Sequence, residues 1–70
     1  MIKVLEKKRI DNADFFTYLI SAFADTKVEV VPGATFIDMP TDGDMEPGST
    51  VHTGDGNVAF LLSDGTWSWV

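Results

Sequence analysis

The residues able to do chemistry are few: one histidine, an acidic loop, a glycine-aspartate turn and a tryptophan pair. The chain has no cysteine, and His52 is its only histidine. A nucleophile needs a base within hydrogen-bond reach, and His52 is the one ordinary candidate. It sits in the alternating run Thr50-Val51-His52-Thr53, which reads as a strand with His52 on the surface or in a cross-strand pair. No catalytic set is expected. Asp42, Asp44 and Glu46 alternate as oxygen ligands for calcium sometimes do. An EF-hand, however, needs a twelve-residue loop with a central glycine and a closing bidentate glutamate between two helices. That spacing fails here, and Gly54-Asp55-Gly56-Asn57 is too short to cage an ion. No metal or cofactor is expected. Trp67 and Trp69, two residues apart on a strand, share a face. They could stack on sugar rings or seal a core. Burying one aromatic removes ~150–250 Å² from water, so core use is expected for one of the two. The other stays open, with an interface as its next use because tryptophan is enriched among binding hot spots.

The elements that must position these residues follow from pattern. Residues 2–9 read as a first strand with Ile2 and Val4 on one face. Its end, Lys7-Lys8-Arg9, is either a partner-facing patch or a charged edge that discourages strand-to-strand pairing. Asp11 or Asn12 can cap a helix, and Asp14 suits the positive end of its dipole. Phe15, Phe16, Leu19, Ile20 and Phe23 then form an apolar stripe at helical spacing, and the helix is expected to end near 24–26. Residues 26–31 alternate as a strand, and Pro32-Gly33 turns the chain. A short strand follows over 34–39 with Phe36 inward, then a Pro- and Gly-rich acidic loop over 40–48. The last third reads as a β-meander: strands at 49–53, 58–62 and 66–70, with turns at Gly54-Asp55-Gly56-Asn57 and Asp64-Gly65. The expectation is one α+β domain over 1–70, an amphipathic helix packed on a small, mainly antiparallel sheet.

Size and charge narrow the function. Seventy residues bury only about 60% of the unfolded surface, and such a core rarely supplies more than about 3–5 kcal/mol. Without cysteine or a metal set, a partner subunit is a source of further stability, although many domains of this size fold alone. The 44% hydrophobic share argues against disorder. No apolar run is long enough for a signal peptide or a bilayer span, so a soluble, cytoplasmic protein is expected. All five basic residues (Lys3, Lys7, Lys8, Arg9, Lys27) precede Val28. From there on every charge is acidic: Glu29, Asp38, Asp42, Asp44, Glu46, Asp55 and Asp64. Such a half repels phosphate backbones, which excludes direct nucleic-acid binding as an expectation.

The C-terminal residues Gly48-Ser49-Thr50, Thr53-Gly54-Asp55-Gly56 and Asp64-Gly65-Thr66-Trp67 resemble the tail of short proteins encoded among tailed-phage and prophage head genes. Those proteins commonly end in a GST…TG…DGTW hairpin. The likeness covers about the last third of the chain. It departs at Val51-His52, where the family often has an aromatic, and at Phe60, which stands for a tyrosine. The resemblance implies a virion structural protein, a capsid decoration or auxiliary head protein, found in the virion and in the host cytoplasm during assembly. Its partner would be capsid or another head protein, with a homo-oligomer as one arrangement. Ile2, Val4, Trp69 and Val70 are the expected partner-binding residues. Two other readings stand beside this one. The acid-only half suits a DNA-mimic inhibitor of a host defence enzyme, and the tryptophan pair suits a carbohydrate-binding module.

Overall fold

A computed structural model describes residues 1–70. The chain forms one mixed sheet of seven strands: β1 (Ile2–Asp11), β2 (Phe16–Ala24), β3 (Phe36–Ile37), β4 (Asp44–Met45), β5 (Thr50–Thr53), β6 (Val58–Leu61) and β7 (Trp67–Trp69). The only helical element is a 3-10 turn, Lys27–Glu29. The strands lie in the order β3-β1-β2-β5-β6-β7, and β4 shares an edge of β2 with β5. The pairs β1–β2, β5–β6 and β6–β7 are antiparallel, whereas β1–β3, β2–β4 and β2–β5 are parallel.

The α+β expectation is therefore corrected. The phenylalanine-rich segment is strand β2, and the sheet is mixed, not mainly antiparallel. The physical reason lies in the spacing. Residues four apart share a face on a helix and also on a strand, because four is a multiple of the strand period. Phe15, Leu19 and Phe23 are such a set, and Phe16 with Ile20 is another. The helical stripe resolves into two opposite strand faces. Phe, Thr, Tyr and Ile also favour strands, and β1 supplies a nine-rung partner from Ile2↔Ala24 to Asp11↔Phe16. Asp11 and Asn12, read as alternative caps, and Asp14, read as complementing the helix dipole, instead flank and form a hairpin loop closed by Asn12 N–H donating to Phe15 C=O at 2.7 Å. Short polar side chains serve turns as well as caps. Similarly, residues 26–31 are not a strand. Glu29 accepts from the Thr26 N–H at 3.0 Å and the chain turns there, which drops Val30 into the core at 5% exposure.

One row of partners shows how the core is built. Val4, Ala22, Val51, Ala59 and Trp69 lie side by side across five strands, and the first four are buried. Small residues at the centre let the sheet curl, and larger ones at the rims fill the space beneath it. Tyr18, Phe36, Met39, Met45, Trp67 and Trp69 pack around that centre. The curl brings the two ends of the sheet together: Phe36 of β3 stacks on Trp67 of β7, centroids 5.9 Å apart and planes 19° from parallel. Gly54 is required where β5 passes the end of β2. A Cβ there would lie 2.8 Å from the Asp25 carbonyl oxygen, so no side chain fits.

Candidate functional site

Each residue singled out for chemistry is absorbed into the fold or left alone. His52 lies on the outer face of β5, exposed, between its register partners Phe23 and Val58. No carboxylate hydrogen-bonds to it. The acids of loop 40–48 are spread along β2 and tie the loop down. Asp42 accepts from the Tyr18 hydroxyl at 3.0 Å and Glu46 accepts from the Thr17 hydroxyl. No three His, Asp or Glu side chains come together as a metal-ligand group.

Asp55 and Asp64 organise the two hairpin turns. Asp55 accepts from the Thr53 hydroxyl at 2.5 Å and from the Lys27 N–H at 3.2 Å. Asp64 accepts from the Thr66 hydroxyl at 2.6 Å and from its N–H at 3.0 Å. These bonds favour the charged form. The Thr53 hydroxyl first, then the Lys27 amide, hold the Asp55 carboxyl below its ordinary 3.8, and Thr66 does the same for Asp64. A depressed folded pKa contributes stability above the unfolded value, and that contribution is lost as pH falls through the folded one. The thermal midpoint is thus expected to drop as pH is lowered below about 4. In a calorimetric pH series, the Asp55→Asn,Asp64→Asn variant starts lower at neutral pH and converges on the parent in acid. Parallel curves would remove these two carboxylates as the cause. On the alkaline side, burial and then the bond to Asp42 push the Tyr18 phenol up, so its contribution is present below pH 10 and fades as pH rises through the raised value.

Three surfaces remain. The first is the outer face of the sheet, where Leu19, Phe23, Phe60 and Leu62 stand 36–44% exposed. Phe23 lies in the row Lys3-Phe23-His52-Val58 and Phe60 in the row Glu6-Ser21-Thr50-Phe60-Ser68. The sequence reading missed this surface because it assigned Leu19 and Phe23 to a core stripe. The usable signal was Val58-Ala59-Phe60-Leu61-Leu62, an unbroken apolar run that marks a strand apolar on both faces.

The second surface is the outer edge of β1. Past a bulge at Leu5, residues 6–11 have no strand on that side. Lys7, Lys8 and Arg9 stand along it, and the Arg9 guanidinium covers the Phe16 ring at 3.8 Å and pairs with Asp11 at 2.8 Å. The third is the free edge of β7. Its Trp67 borders a cavity of about 210 Å³ lined mainly by Val31, Ala34, Phe36, Met39, Met45 and Leu61. Lys27 lies 4.9 Å over the Trp69 ring.

In comparisons with protein-family models, with curated proteins and with solved structures, nothing matches this chain. Of the four residues expected to contact a partner, Ile2 and Val4 are 3% and 7% exposed, so the core takes up their side chains. Trp69 is half-buried and Val70 is exposed, both at the β7 edge.

Proposed function

We propose that the chain is a phage virion structural protein, a decoration or auxiliary head protein that works by binding capsid or another head protein. The observation that carries the binding role is the set of four large apolar side chains, Leu19, Phe23, Phe60 and Leu62, left exposed on the outer face of the sheet. Domains are ordinarily built from two packed layers, because a sheet with an apolar face must bury it against something. Here the inner face is covered by the curl and the outer face is covered by nothing within the chain. Phe23 and Phe60 are 39% and 40% exposed, and with Leu19 and Leu62 they leave four large apolar side chains uncovered on one face, interleaved with Ser21, Thr50 and His52; exposed apolar surface rimmed by polar residues marks protein contacts. A partner supplies the missing layer. Only 11 of 70 residues are buried, so binding would also stabilise the fold by mass action. The virion assignment rests on the C-terminal resemblance, which the β5–β6–β7 meander accommodates.

The alternatives have less geometric support. A DNA mimic needs an unbroken acidic face, and Lys3 and Lys8 border the apolar patch. A sugar platform needs flat exposed rings. Trp67 is stacked on Phe36, and Trp69 is half-buried beneath Lys27.

The test is particle purification from the host that carries this gene. The parent chain is expected in the particle band in stoichiometric amount. The Phe23→Ser,Phe60→Ser variant, with its folded state verified by circular dichroism, is expected to be lost from particles. Parent protein found only in the soluble fraction would end the virion reading. A double variant that still enters particles would end the role of this face.

A further inference from the structure

We propose that the free edge of β7 accepts an extended segment of the partner protein, adding a strand whose central apolar side chain enters the cavity beside Trp67 and whose flanks are basic. The inference rests on the protein-binding reading above and specifies the partner's chemistry.

Backbone orientation supports the first half. Thr66 C=O accepts from the Leu62 N–H at 2.8 Å, and Val70 N–H donates to Val58 C=O at 2.9 Å. Groups alternate along an antiparallel strand, so those of Trp67 and Trp69 turn outward, away from β6. A segment pairing there would follow the mode by which peptides extend exposed sheet edges. The two long-side edges differ in their guarding. Natural sheets protect edges with charge, especially lysine, and β1 carries Lys7, Lys8 and Arg9 along its open side. Thr66-Trp67-Ser68-Trp69-Val70 carries no charged side chain. The β1 edge carries three basic side chains of its own strand, whereas the β7 edge carries none of its own and has only Lys27 reaching over Trp69 from outside the strand, so it is the more receptive of the two.

The cavity selects the occupant's size. Sites for drug-sized ligands run about 300–1,000 Å³. At about 210 Å³, open on one side and lined by Phe36, Met39, Met45 and Trp67, this one suits a single large apolar side chain delivered by a backbone. Methionine linings adapt to the shape of what enters.

Charge selects the flanks. No cavity-lining residue is charged; Asp38, Asp44 and Asp64 are exposed immediate neighbours in sequence of Met39, Met45 and Gly65, and against these three acids stands one base, Lys27 over Trp69. With a net charge of -6 on the chain, a second copy is repelled and a cationic segment is attracted.

The test uses the intact protein and a capped seven-residue peptide with a central Val-Leu-Val and two lysines at each end. Binding is followed by tryptophan fluorescence and by amide NMR. Expected are shifts concentrated at residues 66–70 and around Phe36. An Ala34→Phe variant, which fills the cavity, weakens binding at least tenfold, while Phe23→Ser,Phe60→Ser leaves it unchanged. Replacing the lysines by glutamates abolishes binding at low salt. Shifts confined to the outer face, equal binding by Ala34→Phe or by the glutamate peptide, or no binding at all would overturn the proposal. So would a dimer of the chain itself that protects the Trp67 and Trp69 amides. If Ala34→Phe does not fold, the shift map of the parent protein decides alone. None of these failures touches the particle test, and loss from particles leaves the peptide result standing.

Discussion

An Ile20→Ala chain is expected to be largely unfolded at 25 °C under conditions where the parent is folded. Ile20 is the largest of the side chains with almost no exposure, at 2%. It lies on the inner face of β2, the strand that β1, β4 and β5 all pair with. Truncating a buried isoleucine removes transfer energy and leaves a cavity, at a cost of about 2–5 kcal/mol. A core in a domain this small rarely supplies more than about 3–5 kcal/mol, so the loss is comparable to the whole stability. Relaxation offers little relief. The inner-face neighbours Ala22 and Val51 are already small, and their strands are fixed by register. Circular dichroism and a urea titration would check this: the variant should show no folded baseline, or a midpoint near zero denaturant. A variant that unfolds within about 1 kcal/mol of the parent would mean that the inner face is not the core.

How far the sequence revealed this arrangement depended on which physical signal each segment carried. Turns were legible because their chemistry is local. Gly54-Asp55-Gly56-Asn57 and Asp64-Gly65 need nothing beyond the chain nearby, and both lie where strands reverse. Ile2 and Val4 on one face, and Phe36 against the core, were legible from alternation. Strand β2 was not, because its partners lie outside its own window. β1 precedes it, and β5 joins it in parallel only after a long excursion. Within the window, residues 15, 19 and 23 satisfied helical and strand spacing alike. Tyr18, Ala22 and Ala24, which share the inner face with Ile20, have no place in the helical stripe, and including them would have favoured the strand. That one assignment concealed the candidate site as well. Once Leu19 and Phe23 are placed in a helix, they become core, and the outer face has no apolar residue left on β2. The basic triplet, by contrast, was open to either a patch or an edge, and it stands on the open side of β1.

Ser49→Ala is expected to destabilise the fold by about 1–3 kcal/mol, through one hydrogen bond that no backbone group can replace. The edge of β2 is shared. β4 pairs with Thr17 and Tyr18, and β5 pairs from Ser21 to Ala24. Between them lies the Ile20 N–H, which points away from β1 toward a gap in the ladder. The Ser49 hydroxyl fills that gap. Its oxygen accepts from the Ile20 N–H at 2.9 Å while its proton goes to Glu46 C=O at 2.7 Å. Ser49 itself is 1% exposed, so no water reaches the amide without opening the sheet. Alanine keeps the shape and removes the acceptor. Glu46 C=O retains the Ser49 N–H as a donor at 3.1 Å, so the uncompensated group is the Ile20 amide alone. A buried donor without a partner costs its full desolvation penalty, which exceeds the net value of an ordinary bond. In urea, the midpoint should fall with the slope unchanged, since the surface exposed on unfolding is the same. Hydrogen exchange gives the local signature. The Ile20 amide should lose protection by more than the global change explains, and the amides of β1 should not. Equal loss across β1 and β2 would mean that Ser49 acts through packing, and that the rung at Ile20 is not what joins the two halves of the sheet.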